Sequence, residues 1–260
     1  MSETNAKMEF MVNGKKYSIV SDLHTHTVFS HGKGTIADNV RVAHSKGLKT
    51  IGISDHGPSH LGFGISKKDI PVMRAEVERL RKIYPDIEIL LGVEANIMNR
   101  SGELDLGPEE LSQFDYVMAG YHYGALGRNP FGTLFNAAHN LAVYKLKREP
   151  KHLIRRNTEY IVSALEKNDI KILTHPGDKA PMDLLEIAIV CAKTNTLVEI
   201  NTQHMSLNVE DLKTMALADV QFYIGSDAHV PNRVGDFVAA IHLILDSGID
   251  IDRVLNIQVA

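Results

Sequence analysis

At 260 residues, 44% of them hydrophobic and 23% charged, the chain has an ordinary globular composition and is long enough to bury a substantial core. A net charge of −4 argues against a protein that holds nucleic acid by bulk electrostatics, and the single cysteine, Cys191, excludes an internal disulfide. Residues 1–16 are polar, without the apolar core of a signal peptide, and no stretch reaches the roughly 20 apolar residues of a membrane span. A soluble cytoplasmic protein with no membrane partner is expected.

The first sixteen residues read as an extension or hairpin. Tyr17 to Val20 follow Gly14-Lys15-Lys16 and are rich in β-formers, so they read as a strand leaving a turn. Ser21-Asp22-Leu23-His24-Thr25-His26-Thr27 comes next, extended to His31. Two histidines two apart at a strand end point to one side, which is a metal-ligand spacing. Thr35 to Gly47 is a predicted helix, with a capping Thr, apolar residues at Ile36, Val40 and Ala43, and a stop at Gly47. The strand Leu48 to Ile53 then ends in Ser54-Asp55-His56-Gly57, so a second strand end carries His.

The pattern continues along the chain. A helix from about Ile70 to Tyr84 precedes the strand Ile87 to Val93, which ends at Glu94; Asp115 to Gly120 is a strand ending at Tyr121-His122. After a helix near 152–168, Ile170 to Thr174 ends at His175-Pro176-Gly177. A helix from Pro181 to Thr194 contains Cys191, which is read as a buried inert thiol. The strand Thr196 to Asn201, a helix near 209–218 and the strand Val220 to Ser226 follow, the last ending at Asp227-Ala228-His229, with a further helix after Gly235. About seven strands alternating with helices predict an α/β fold with a mostly parallel sheet. Ligands at strand end after strand end fit a closed barrel of TIM-barrel type better than an open sheet, because a barrel gathers its βα loops at one mouth. With no repeat and no linker, residues 1–260 read as one domain.

The strand ends collect His24, His26, His31, His56, Glu94, His122, His175, Asp227 and His229. Nine nitrogen and oxygen donors with no thiolate are too many for one ion and imply two or three divalent ions bridged by a carboxylate. Such a pair can hold a hydroxide and clamp a departing oxygen, the arrangement used for phosphoester hydrolysis. The donors suit zinc, manganese and iron alike. Asp22, Asp55 and Glu199 are candidates to accept from the outer ring nitrogens of these histidines. Of the remaining histidines, His44, His152 and His242 fall on helices, whereas His60, His139 and His204 lie in loops or near the mouth, within reach of substrate. Arg233, Arg128 and Arg100 fall on predicted loops at the same mouth and are the candidates to hold phosphate oxygens.

Six ordered motifs carry a resemblance: Asp22-Leu23-His24-Thr25-His26-Thr27, Ser54-Asp55-His56-Gly57, Gly92-Val93-Glu94-Ala95-Asn96, Ala119-Gly120-Tyr121-His122, Thr174-His175-Pro176-Gly177 and Gly225-Ser226-Asp227-Ala228-His229. From about residue 20 to 256 the chain resembles the PHP (polymerase and histidinol phosphatase) superfamily. Glu94-Ala95-Asn96-Ile97 and Gly102-Glu103-Leu104-Asp105 resemble its small stand-alone YcdX-like phosphatases. The resemblance implies a distorted (β/α)7 barrel holding three divalent metal ions, zinc foremost. By motif, His24, His26, Glu94 and Asp227 would hold the first ion, His31, His56 and His229 the second, and Glu94, His122 and His175 the third, with Glu94 bridging. The His26 to His31 spacing is one residue shorter than this subgroup's pattern, and Gly124 to Pro150 is a longer connection than expected, ending in the basic run Lys145, Lys147, Arg148. The implied activity is a metal-dependent phosphatase acting on a small phosphorylated metabolite, a phosphomonoester such as histidinol phosphate, through metal-activated hydroxide. Glu94, Asp227, His229 and Arg233 would carry the catalysis. Two readings compete with it: a nuclease or phosphodiesterase, disfavoured by the acidic balance, and a non-catalytic metal-binding regulatory module, disfavoured by the intact donor set. An oligomer is compatible with all three.

Overall fold

Apolar runs alternate with amphipathic ones, and in the computed structural model they become strands and helices in that same alternation; residues 9–122, 125, 130–146 and 150–260 are described. In chain order the elements are β1 (Glu9–Val12), β2 (Lys15–Ile19), β3 (Ser21–Asp22), α1 (Ile36–Ser45), β4 (Thr50–Ile53), α2 (Ile70–Ile83), β5 (Glu88–Asn96), α3 (Pro108–Leu111) and β6 (Tyr116–Gly120). There follow α4 (Pro130–Lys145), α5 (Lys151–Lys167), β7 (Ile172–Leu173), α6 (Leu184–Thr194), β8 (Leu197–Asn201), α7 (Val209–Met215), β9 (Phe222–Gly225), α8 (Val238–Ser247) and β10 (Ile257–Val259). Strands β3 to β9 form one seven-stranded sheet in sequence order, every pair parallel. This is the distorted (β/α)7 barrel expected from the sequence.

The first and last barrel strands meet at a seam. Near the mouth a parallel bridge pairs Thr25 with Ala228, where the His26 amide donates to the Ala228 carbonyl at 2.9 Å and the Ala228 amide to the His24 carbonyl at 3.2 Å. Lower down, the buried Asn256 stitches the seam: its Nδ2 donates to the carbonyls of Ser21 and Ile224, both at 2.9 Å, and its Oδ1 accepts from the Ile224 amide at 3.0 Å. A buried amide satisfied on both sides in this way does the work of a missing ladder.

Inside the barrel, Leu23, Met118, Ile172, Leu197 and Tyr223 pack together, with Leu90 and Tyr116 against them. The Tyr116 hydroxyl donates to the Leu23 carbonyl at 2.5 Å. Two strand glycines make room for its ring: a Cβ on Gly52 would stand 2.0 Å from the Tyr116 hydroxyl, and one on Gly92 would stand 2.2 Å from the ring. The larger core lies between sheet and helices, where α1 contributes Ile36, Val40 and Ala43 as its spacing predicts. A Thr35–Asp38 capping box starts that helix.

Two expectations change. The run Tyr17 to Val20 is not the barrel strand that delivers His24; β2 pairs antiparallel with β1 and β10 in a separate three-stranded sheet, and the barrel strand is the two-residue β3. At Val20 the chain turns its amide to the Asn256 carbonyl and passes from one sheet to the other. Both sheets favour the same β-formers, so composition does not reveal the break. The second change is α4, an element without a clear helical period in its sequence, lying within the long connection between β6 and α5. Arg128, Lys147 and Arg148 of that connection lie outside the described residues.

Candidate metal centre

Strand geometry delivers the donors. Thr25 is fastened to the barrel wall, its amide donating to Ser54 Oγ at 3.1 Å and its hydroxyl to the Gly52 carbonyl at 2.7 Å. Its neighbours His24 and His26 therefore turn the other way, and their Nε2 atoms lie 3.1 Å apart. Glu94 sits within β5, held by its amide to the Asp55 carbonyl and by its own carbonyl to the Gly57 amide. His175 and Asp227 leave β7 and β9 with φ of 28° and 50°, left-handed values that cost a non-glycine residue about 1 kcal/mol or more. Both are buried, so the fold bears that strain where it aims a side chain into the mouth.

All nine predicted donors converge there. Glu94 divides its two oxygens between two sets of histidines. Oε1 lies 2.9 Å from His175 Nε2 and 3.2 Å from His122 Nε2; Oε2 lies 2.8 Å from His56 Nδ1, 3.4 Å from His24 Nε2 and 3.6 Å from His26 Nε2. Asp227 Oδ1 lies 3.0 Å from His26 Nε2 and 3.5 Å from His24 Nε2. Three triplets bring one donor atom each within 4.8 Å of one another: His24, His26 and Asp227; His26, His56 and His229; His56, Glu94 and His122. His31 joins none of these triplets, although its ring stacks on His56 at 5.0 Å and approaches His229 to 4.1 Å.

Of the three carboxylates expected behind the histidines, Glu199 alone takes that place. Its Oε1 accepts from His24 Nδ1 at 2.6 Å and its Oε2 from the His175 amide at 2.9 Å. A Cβ on Gly225 would stand 2.0 Å from Glu199 Oε1, so glycine at that strand end makes room for the pairing. Asp55 instead accepts from the Thr27 amide and hydroxyl, both at 2.7 Å, and from Ser30. Asp22 accepts from the amides of His24, Ser226 and Gly235. These two shape the loops that carry the donors and do not touch the rings.

The donors floor a cavity of about 340 Å³, lined by His31, His56, His60, Phe63, Tyr121, His122, His175, Asp178, Lys179, His204, Asp227 and His229. His60 and His204 reach it, as their sequence position suggests, whereas His139 lies on α4 near His152. Neither Arg100 nor Arg233 lines it. Arg100 is paired with Glu159 of α5, and Arg233 stands 3.2 Å from Asp236. Sequence reasoning missed Phe63, Tyr121, Asp178 and Lys179; the last two were signalled only by following the His175-Pro176-Gly177 turn.

A divalent ion fits this donor set on two observations. Buried His56 Nδ1, Glu94 Oε2, Asp227 Oδ1 and His229 Nε2 lack a hydrogen-bond partner among the described residues, a concentration of unsatisfied groups that a cation would relieve. The tautomers also suit ligation: His24 Nδ1 faces Glu199, and His229 Nδ1 donates to the Asp227 carbonyl at 2.8 Å, so each turns Nε2 to the site. Electrostatics divides the cluster. Burial and the neighbouring His26 push His229 down to about 3, and burial also takes His56 well below the ordinary histidine value. Burial would lower His24 and His175 too, but the carboxylates outweigh it, through Glu199, Asp227 and Glu94 at His24, and through Glu94 at His175, which rises to about 9. Burial likewise opposes charge on Glu94 and Asp227, yet the surrounding histidines hold both carboxyls well below their usual range.

Fold and site together define a parallel α/β barrel with a buried cluster of imidazoles and carboxylates at the carboxyl ends of its strands. The family model described as PHP domain matches residues 22–203, and the chain belongs to that family. It is 32% identical over 259 residues to a protein of Thermoanaerobacter sp. strain X514 named as a probable phosphatase, covering 93% of this chain and 91% of that one. A probable phosphatase of Shewanella sediminis is 29% identical over 250 residues, covering 90% and 88%. Among solved structures, the histidinol phosphate phosphatase of Lactococcus lactis complexed with zinc, L-histidinol and phosphate superposes with a TM-score of 0.59 at 17% identity, over 89% of this chain and 95% of that chain. At that identity the likeness is one of fold.

Proposed function

We propose that the protein is a metal-dependent phosphatase acting on a small phosphomonoester, with three divalent ions held at the barrel mouth. The observation that carries this reading is the division of Glu94 between two histidine groups, because a carboxylate whose oxygens face opposite sets of donors is built to bridge cations. His24, His26 and Asp227 would hold one ion with Glu94; His56 and His229, with His31 beside them, a second; and His122 and His175 a third with Glu94. Bound ions would supply an activated water nucleophile and neutralise the charge that develops on phosphate oxygens.

The chain's own residues supply the rest. Burial keeps His56 and His229 below the ordinary histidine range and the surrounding histidines hold Glu94 and Asp227 below the usual carboxylate range, whereas His24 and His175, raised by those carboxylates, would give up a proton to a bound cation. Glu199 fixes His24 in one tautomer and ties the His175 backbone, coupling two ligand loops through one carboxylate. A cavity of about 340 Å³ accommodates a small metabolite, in keeping with a phosphomonoester of modest size. The relatives named as phosphatases support the same class, and the histidinol and phosphate of the Lactococcus complex make a histidinol-phosphate-like ester one substrate to try.

The test is elemental analysis of protein prepared with zinc, manganese or iron, followed by a screen over phosphomonoesters and phosphodiesters. More than one ion per chain and preferential monoester turnover are expected. One ion or none would overturn the multinuclear centre, and diesterase activity without monoesterase activity would overturn the substrate class.

A further inference from the structure

A phosphomonoester brings a charge of about −1.5 to −2 at neutral pH into a cavity already floored by two buried carboxylates. Besides metal ions, a side-chain cation at the mouth can take an outer oxygen through a charge-assisted hydrogen bond. Among the described residues that line the cavity, Lys179 is the one Lys or Arg. Resting on the phosphatase reading above, we infer that Lys179, positioned by Asp178, is the side chain that grips the substrate phosphate, in the place where the sequence suggested Arg233, Arg128 or Arg100.

The loop after β7 is built to bring this lysine to the donors. It turns sharply, with left-handed φ at His175 (28°), Gly177 (88°) and Lys179 (53°) within five residues. The first and last of these are side chains that the left-handed region disfavours. The turn is fastened from several directions. The Asp178 amide donates to the His175 carbonyl at 3.1 Å, Ser206 Oγ donates to the Pro176 carbonyl at 2.8 Å, and Ala180 is buried at its far end. His175 faces Glu94 and Lys179 faces the same cavity, so one turn supplies both a donor to the centre and a cation beside it.

Asp178 holds the ammonium in place. Its Oδ2 lies 2.9 Å from Lys179 Nζ and 3.5 Å from His204 Nδ1, and His204 Nε2 lies 3.8 Å from Asp227 Oδ2. The side chains of Lys179 and His204 are each about one-third exposed, at 35% and 36%, so an entering anion can reach both. An ammonium is a compact charge on a flexible stem and can turn from one anionic partner to another without a fixed approach plane. Entry of phosphate therefore exchanges part of the Asp178 pairing for a charge-assisted contact to a nonbridging oxygen. Of the three arginines suggested by the sequence, the two among the described residues are paired elsewhere, Arg100 with Glu159 and Arg233 with Asp236.

The experiment uses the full chain loaded with metal, p-nitrophenyl phosphate as substrate and inorganic phosphate as competing product. Lys179→Ala should lower kcat/KM at least tenfold and raise the inhibition constant of inorganic phosphate at least tenfold, with metal content and melting temperature at wild-type values. Lys179→Arg should recover part of both. Asp178→Asn should weaken phosphate inhibition by less than Lys179→Ala does. Lys179→Gln serves as the second removal of charge if the alanine variant folds poorly. An inhibition constant within twofold of wild type in a folded Lys179→Ala or Lys179→Gln protein would overturn the assignment. If the wild-type protein turns over no phosphomonoester, the phosphatase reading fails, but calorimetric titration with inorganic phosphate still decides the lysine's role. Binding lost in the variant supports it, and binding retained in the variant, or absent from metal-loaded wild type, overturns it.

Discussion

At the scale of single residues, Glu94 is the point on which the centre turns. Glu94→Gln preserves size and both heavy-atom positions but replaces one anionic oxygen with an amide that repels cations. Metal content should fall by at least one ion per chain and turnover by a hundredfold or more, measured by elemental analysis and steady-state kinetics; wild-type values for both would show that Glu94 does not bridge. Arg233 gives the contrasting expectation. It is paired with Asp236 and stands off the cavity, so Arg233→Ala should change kcat/KM by less than threefold, and a tenfold loss would place it in the substrate path. The clustered histidines were legible as a group because His24, His26, His56, His122, His175 and His229 each follow a barrel strand closely, whereas His31 lies in the loop beyond β3. The carboxylates behind them were less so. Asp55 is adjacent to His56 in a stretch of extended chain, so alternation turns it to the other side, towards Thr27. Glu199, 175 residues away in sequence, reaches His24 only because β8 and β9 bring the closing edge of the barrel round to β3. Lys179 was hidden for a related reason: nothing in an isolated Asp-Lys pair shows that a tight turn has aimed it inward.

At the scale of elements, the short strands work because the interior beneath the centre is filled by side chains drawn from strands all round the barrel. Tyr116 of β6 crosses to the Leu23 carbonyl and lies over Gly52 of β4 and Gly92 of β5. Gly52→Ala would put a methyl group 2.0 Å from the Tyr116 hydroxyl and 2.9 Å from Leu23 Cα, and the second contact is backbone that cannot easily yield. Overpacking of this kind costs about 1–3 kcal/mol, or roughly 2–4 °C of melting temperature per kcal/mol in a chain of this size. Removing the hydroxyl relieves the nearest clash. Tyr116→Phe should therefore lower stability on the wild-type background but restore part of it on the Gly52→Ala background, a non-additivity that thermal denaturation of the four proteins would measure. Equal losses on both backgrounds would show that the ring and the glycine do not share the space. Helices with capping signals and clean apolar faces, such as α1, were readable in the sequence. The division of residues 17 to 22 between two sheets was not, because the switch depends on Asn256, more than 200 residues later.

At the scale of the whole molecule, the centre and the barrel seam are one structure. His24 and His26 follow the first barrel strand and Asp227 follows the last, and the same turns carry the Thr25–Ala228 bridge that joins the two edges. An ion held by His24, His26 and Asp227 would therefore clamp the seam at its upper end, while Asn256 holds it lower down. Ligands bound only by the native state stabilise it by mass action, about 2.7 kcal/mol for each ion present at a hundred times its dissociation constant. Chelation should lower the melting temperature by about 5 °C or more for a chain of this length. The loss should also be local before it is global. Hydrogen exchange should accelerate first at residues 21–27 and 222–229, where the two edges meet, and later in α2, whose buried Ile70, Met73, Val77 and Leu80 pack in the sheet-to-helix core. Restoring the metal should reverse both changes. Protein stripped of metal, as verified by elemental analysis, that keeps its melting temperature and its exchange protection along the seam would show that Asn256 and the backbone bridge close the barrel without help. Uniform acceleration across seam and α2 together would show instead that the centre stabilises the whole fold without acting as a clamp.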